Sequence, residues 1–139
     1  MPRTVREVMT PAPTCIGENE TIAVAAQRLA ELDVGSMPIC GEDQRLKGML
    51  TDRDIVIKVV ARGQDPAQVT AGSLAQGKPV TIGADDSLEE AERTMSEHQV
   101  RRLPVIDGHD LVGMLSQADL ARSLAASETG DMVRGISEE

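Results

Sequence analysis

The sequence contains no phenylalanine, tyrosine or tryptophan among its 139 residues. Its core must therefore be filled by aliphatic side chains and by seven methionines, whose unbranched thioethers adapt to irregular gaps. A bound base would find no aromatic ring to stack on. Positive charge is also scarce: 14 Lys and Arg stand against 23 Asp and Glu, a net charge of −9. That balance repels phosphate backbones and anionic lipid surfaces, so neither nucleic acid nor membrane is an expected partner. No apolar run approaches the roughly 18 residues of a membrane span, and Met1-Pro2-Arg3-Thr4 lacks the apolar core of a signal peptide. The cytoplasm is the expected location.

Cysteine and histidine are nearly absent too. Cys15 and Cys40 form no Cys-x-x-Cys pair, and His98 and His109 are the two histidines, so metal-ligand spacing is missing. His98 and His109 with Asp107 and Asp110 could be read as a cation site, but turn acids and a histidine near a helix end are ordinarily solvated, and no metal is expected. There is no Ser/His/Asp arrangement, no glycine-rich phosphate loop and no pair of buried carboxylates with separable roles. No enzyme is expected.

What the sequence does contain is a repeat. Pro13-Thr14-Cys15-Ile16 aligns with Pro79-Val80-Thr81-Ile82, and Val34 to Pro38 aligns with Val100 to Pro104. Gly48-Met49-Leu50-Thr51-Asp52-Arg53-Asp54-Ile55 then aligns with Gly113-Met114-Leu115-Ser116-Gln117-Ala118-Asp119-Leu120. Three blocks in the same order point to one supersecondary unit used twice. Each copy reads as a short strand (Thr14 to Ile16; Val80 to Ile82), then a helix capped by Thr21 or by a Ser87-Leu88-Glu89-Glu90 capping box. Two strands joined by a polar turn follow, Met37 to Cys40 with Leu46 to Leu50, and Leu103 to Ile106 with Leu111 to Leu115. A second helix closes each copy, carrying Ile55, Val56, Val59 and Val60 in one case and Leu120, Leu124 and Ala125 in the other.

The expected fold is thus α/β (α+β), two tandem β-α-β-β-α repeats. Residues 5–62 form the first repeat, 63–70 a linker containing Gly63, Asp65 and Pro66, 71–126 the second repeat, and 127–139 a polar tail. The stretch Ala71 to Ala75 mirrors Val5 to Met9. One such unit buries too little apolar surface alone, so the two are expected to pack sheet to sheet with pseudo-two-fold symmetry.

Over about residues 5–126 the chain resembles the CBS domain pair, or Bateman module. The matching features are the strand prolines Pro38 and Pro104, the glycine-led strands beginning at Gly48 and Gly113, and the motifs Thr51-x-x-Asp54 and Ser116-x-x-Asp119. The resemblance implies clefts between paired sheets that hold AMP, ATP or a related adenosine ligand, with no cofactor required. It also implies a homodimer, for which faces bearing Met9, Val59 and Val60, or Leu120 and Leu124, are candidates. No effector domain is read beside the two repeats, so regulation is expected to act through a separate protein partner.

Each candidate residue has a plain structural alternative. Thr51 with Asp54, and Ser116 with Asp119, suit a ribose diol and a phosphate, yet the same spacing is a capping box. Arg53 in the first motif, and Arg101 with Arg102 beside the second, are candidate phosphate ligands or else solvated or ion-paired surface residues. Ile16, Val34, Met37 and Pro38 in one cleft, with Ile82, Val100, Leu103 and Pro104 in the other, either hold the base or pack the core. In the fold that the resemblance implies, Cys15 and Cys40 lie on neighbouring strands, so they are a candidate disulfide or two buried thiols. The leading functional expectation is a nucleotide-binding regulatory module. The alternative is a stress-associated structural or interaction protein with decayed nucleotide sites and a Cys15–Cys40 redox element.

Overall fold

A computed structural model of the chain describes residues 4–75 and 79–124. The expected tail, 127–139, lies outside them. Along the chain run α1 (Val5–Val8), β1 (Thr10–Pro11), β2 (Ile16–Gly17), α2 (Ile22–Leu32), β3 (Ser36–Cys40), β4 (Leu46–Thr51) and α3 (Asp52–Ile55), which continues as a π-helical turn over Val56–Val60. A 3-10 turn (Ala71–Leu74), β5 (Ile82–Gly83), α4 (Leu88–His98), β6 (Arg102–Asp107), β7 (Asp110–Ser116) and a last helix, α5 (117–124), complete the described chain. The architecture is mixed α/β, with the β-α-β-β-α order occurring twice.

The chain divides into two compact units: Pro13–Pro79 with Gly108–Leu111, and Met1–Ala12 with Val80–Asp107 and Val112–Glu139. In the first, β2, β3 and β4 form a three-stranded sheet, β2 parallel to β3 (Ile16↔Ile39, Gly17↔Cys40) and β3 antiparallel to β4 (Met37↔Leu50, Pro38↔Met49). In the second, the sheet order is β1-β7-β6-β5, with β5 parallel to β6 in the same register as its counterpart (Ile82↔Val105, Gly83↔Ile106). The extra strand, β1, pairs antiparallel to β7 (Thr10↔Met114, Pro11↔Gly113). Two residues in extended conformation carry no periodic signal, which is why β1 is not legible in the sequence.

The long helices follow from their caps and spacing. Thr21 Oγ1 accepts from Val24 N at 3.3 Å, and Ile22, Ala25 and Leu29 turn inward. Ser87 Oγ accepts from Glu90 N at 3.1 Å, with Leu88, Ala91 and Met95 inward. The Ser87 capping box is only half formed, because the Glu90 carboxylate pairs with Arg93 instead. Both helices stop at left-handed residues, Asp33 and Gln99, each with φ of 55°. Ile16, Ile22, Ile39 and Leu50 are fully buried in one core, Leu103, Val105 and Leu115 in the other; each such side chain contributes about 1.5–3 kcal/mol relative to exposure.

Each core also takes the short helix that opens the other repeat in sequence. Val5, fully buried, packs with Ile82, Leu88 and Leu115, held by Val5 N to Asp86 O (2.9 Å) and Arg6 N to Ala84 O (2.8 Å). Ala71 and Leu74 pack with Ile16 and Ile22, held by Ala71 N to Glu20 O and Gly72 N to Glu18 O, both 2.8 Å.

The helix closing the first repeat departs from the expected apolar stripe. Ala61 N donates to Val56 O, an i to i+5 bond of 2.8 Å, and the wider turn changes which side chains face inward. Ile55 and Val59 are buried, whereas Val56, Ile57 and Val60 stand 57%, 41% and 58% exposed, with Leu32 at 47%. Of the side chains expected on an interface, Val60 is therefore on the surface, while Val59 and Leu120 belong to the cores and Met9 is half-buried.

Candidate functional site

In each repeat the third strand ends in a hydroxyl residue that starts the next helix. Thr51 Oγ1 accepts from Asp54 N at 3.0 Å, and Asp54 Oδ2 accepts from Thr51 N at 3.1 Å. Ser116 Oγ accepts from Asp119 N at 3.0 Å, and Asp119 Oδ2 accepts from Ser116 N at 3.1 Å. Both motifs are thus capping boxes. Each carboxylate gives one oxygen to the cap and the other to a cation: Asp54 Oδ1 lies 3.3 Å from Lys58 Nζ, and Asp119 Oδ1 pairs with Arg122. A carboxylate offers about four lone-pair sites, so capping leaves room for further donors. Lys58 and Arg122 were not singled out from the sequence, although spacings of four and three residues on a helix were the available signal.

Backbone bonds bring the start of the second strand to the same place. Asp52 N donates to Gly35 O at 2.9 Å, and Gln117 N donates to Arg101 O at 2.7 Å. Gly35 and Ser36 therefore adjoin the first capping box, and Arg101 and Arg102 the second. Among the described residues, Arg45, Arg53, Arg62, Arg101 and Arg102 make no side-chain hydrogen bond or ion pair, and of these Arg53, Arg101 and Arg102 adjoin the capping motifs; Arg6, Arg28, Lys47, Lys58, Arg93 and Arg122 all pair with carboxylates. The candidate base-holding residues divide by depth. Ile16, Met37 and Pro38 are core residues of one unit, and Ile82, Leu103 and Pro104 of the other, while Val34 and Val100 are half-buried.

A cavity of about 930 Å³ lies between α4 and α5, floored by Met95, Val100, Leu120 and Leu124 and rimmed by Arg101 and Gln117. It shares Val100 and Arg101 with the expected second site, but Ser116 and Asp119 do not line it.

Cys15 and Cys40 are joined in a disulfide with a Cα separation of 5.9 Å, within the usual range. The bridge ties the residue before β2 to the end of β3. Beside it, Glu20 accepts from Gly17 N at 2.8 Å and from both ends of the Arg28 guanidinium at 2.9 Å, while Arg28 also donates to Cys15 O at 3.2 Å. The Gly17 N–H, with Arg28 adding to it, holds the Glu20 carboxyl below its ordinary range. Asp86, at the corresponding place in the second repeat, accepts from Gly83 N at 2.9 Å, but no disulfide or arginine fork accompanies it. The Glu20–Arg28 pair spans a helix start, and sequence reasoning missed it.

The model of the CBS domain matches residues 5–61 and 71–126. Hypoxic response protein 1 of Mycobacterium tuberculosis is 50% identical over 133 residues, covering 96% of this chain and 93% of that protein. A crystal structure of Hypoxic Response Protein I with two coordinated zinc ions superposes with a TM-score of 0.81 at 52% identity, covering 86% of this chain and 98% of that one. A CBS domain protein from Pyrobaculum aerophilum complexed with AMP superposes with a TM-score of 0.76 at 27% identity, covering 89% and 99%. Zinc does not fit the described residues of a single chain: no three His, Cys, Asp or Glu side chains converge, both cysteines are in the disulfide, and His98 and His109 are exposed. No helix among the described residues is long and apolar enough to cross a membrane. The repeated topology, the paired capping motifs and these likenesses together mean that the chain belongs to the CBS domain family, as a pair of its repeats.

Proposed function

We propose that this protein is a non-catalytic regulatory module that binds an adenosine nucleotide beside Thr51 and Asp54 or beside Ser116 and Asp119, and passes the signal to a separate protein. The observation that carries this reading is that three of the five unpaired arginines among the described residues adjoin the two motifs. In a chain of net charge −9, Arg53, Arg101 and Arg102 adjoin the two hydroxyl–acid motifs without a carboxylate partner among the described residues. Guanidinium groups held free of ion pairs are ready donors for phosphate oxygens. The AMP complex of the Pyrobaculum aerophilum relative supports the same chemistry for this fold. Isothermal titration with AMP and ATP tests it on the wild type and on Asp54→Ala with Asp119→Ala: heat with the first and none with the second is expected, and no heat with either ligand on the wild type removes the reading.

The module acts as a homodimer in the cytoplasm under low-oxygen stress, in keeping with the name of its mycobacterial relative. Among the described residues the exposed large apolar side chains are Leu32, Val56, Ile57 and Val60, and a second copy would cover them. The second reading, an interaction protein governed by thiol oxidation, is favoured by the Cys15–Cys40 bond. Titration of free thiols in denaturant tests that bond: two reactive thiols per chain in oxidised preparations would end this reading.

A further inference from the structure

Charge separates the two repeats at corresponding positions. The bonds Asp52 N to Gly35 O and Gln117 N to Arg101 O place these residues equivalently. Around the first hydroxyl–acid pair stand Gly35, Ser36, Asp52 and Arg53; around the second stand Arg101, Arg102, Gln117 and Ala118. The acids Asp54 and Asp119 are each offset by one cation, Lys58 or Arg122, so the surrounding residues decide the balance. In the first repeat Asp52 opposes Arg53. In the second, Arg101 and Arg102 form no ion pair among the described residues, although Glu92 lines the same cavity as Arg101.

Asp52 also occupies the space that matters. Its Oδ2 lies 3.5 Å from where a Cβ on Gly35 would stand, facing the position held by Arg101 in the other repeat. A phosphate of about −1.5 to −2 charge gains with each free guanidinium that can donate to its oxygens. The second repeat offers two without first breaking an ion pair. The first offers one, with a carboxylate beside it that repels phosphate.

Resting on the nucleotide-binding reading above, we infer that the second repeat is the site for phosphorylated adenosine ligands, and that the first admits adenosine compounds whose 5′ substituent carries no negative charge. Arg101, Arg102 and Asp52 are the residues that set this division.

The test is isothermal titration of the full chain with AMP and with adenosine, at low and at raised salt. AMP should bind at one site per chain, weaken steeply with salt and lose at least about tenfold in affinity in the double variant Arg101→Gln/Arg102→Gln. Adenosine should bind without salt dependence, keep its affinity in that variant and lose it in Asp54→Ala. The swap Gly35→Arg/Ser36→Arg/Asp52→Gln should give AMP a second site per chain. Salt dependence on the wild type requires no variant to fold, and far-ultraviolet circular dichroism checks those that are used. If AMP binds but is lost equally in Asp54→Ala and in the arginine variant, or if adenosine is lost in the arginine variant, the division falls while nucleotide binding stands. No heat from either compound on any of these proteins overturns both.

Discussion

Asp54 and Asp119 each stabilise their helix start and hold a cation, so their removal is a stability change whatever else it is. Asp54→Ala deletes the N3 acceptor of a formed capping box and the partner of Lys58, and should cost about 1 kcal/mol, read as a lower urea midpoint at unchanged slope. Glu20 gives the pH dependence. Its folded carboxyl is depressed, first by the Gly17 N–H and then by Arg28. Its stabilising effect is therefore complete above the unfolded carboxylate range, about 4.3, and is lost as pH falls through the lower folded value. Glu20→Gln should be less stable than wild type at neutral pH, and the gap between their melting midpoints should close on acidification toward pH ~3; a gap independent of pH would show that the carboxylate charge is not involved. At this scale the Thr/Ser-x-x-Asp motifs were legible, because a cap depends on residues three apart. The fork from Arg28 to Glu20 and Cys15 was not, since it requires knowing how the chain enters α2.

The order β-α-β-β-α could be read twice from apolar spacing, caps and turn residues, and the shared register of β2 on β3 and of β5 on β6 reflects that repetition. What could not be read was the placement of pieces too short to show a period: β1, and the short helices at Val5–Val8 and Ala71–Leu74. Nor could the π turn be foreseen, as Val56, Ile57 and Val60 suit an apolar stripe as well as an exposed face. Two predictions belong here. Reduction of the Cys15–Cys40 bond, or Cys15→Ser with Cys40→Ser, should cost on the order of 3 kcal/mol from restored chain freedom across the 25-residue separation, seen as a lower thermal midpoint with reductant. Gly113→Ala should destabilise by more than about 1 kcal/mol, because its Cβ would lie 2.3 Å from Met9 Sδ and 2.9 Å from Thr10 O. A Gly113→Ala protein that melts like wild type would mean that β1 does not hold its place on β7.

At the scale of the whole molecule, composition sets the simplest test. The absence of Phe, Tyr and Trp means that near-ultraviolet absorbance of a purified sample should come almost entirely from whatever nucleotide accompanies it, a direct check on bound ligand before any titration. The exposed group Leu32, Val56, Ile57 and Val60 predicts association: Val56→Lys/Val60→Lys should shift the mass measured by light scattering from two chains to one, with a change in monomer melting of only about 0.5 kcal/mol, as for surface substitutions generally. Association unaltered by that pair would move the interface elsewhere. The exchange of opening helices has a consequence for inheritance. Val5 completes a core otherwise made by residues after Val80, and Ala71 with Leu74 completes one made by residues before Pro79. A cut between the repeats would leave each fragment with a groove where its lid belonged and a greasy stub with nowhere to lie. A single repeat moved alone by recombination should therefore fold less stably than the pair.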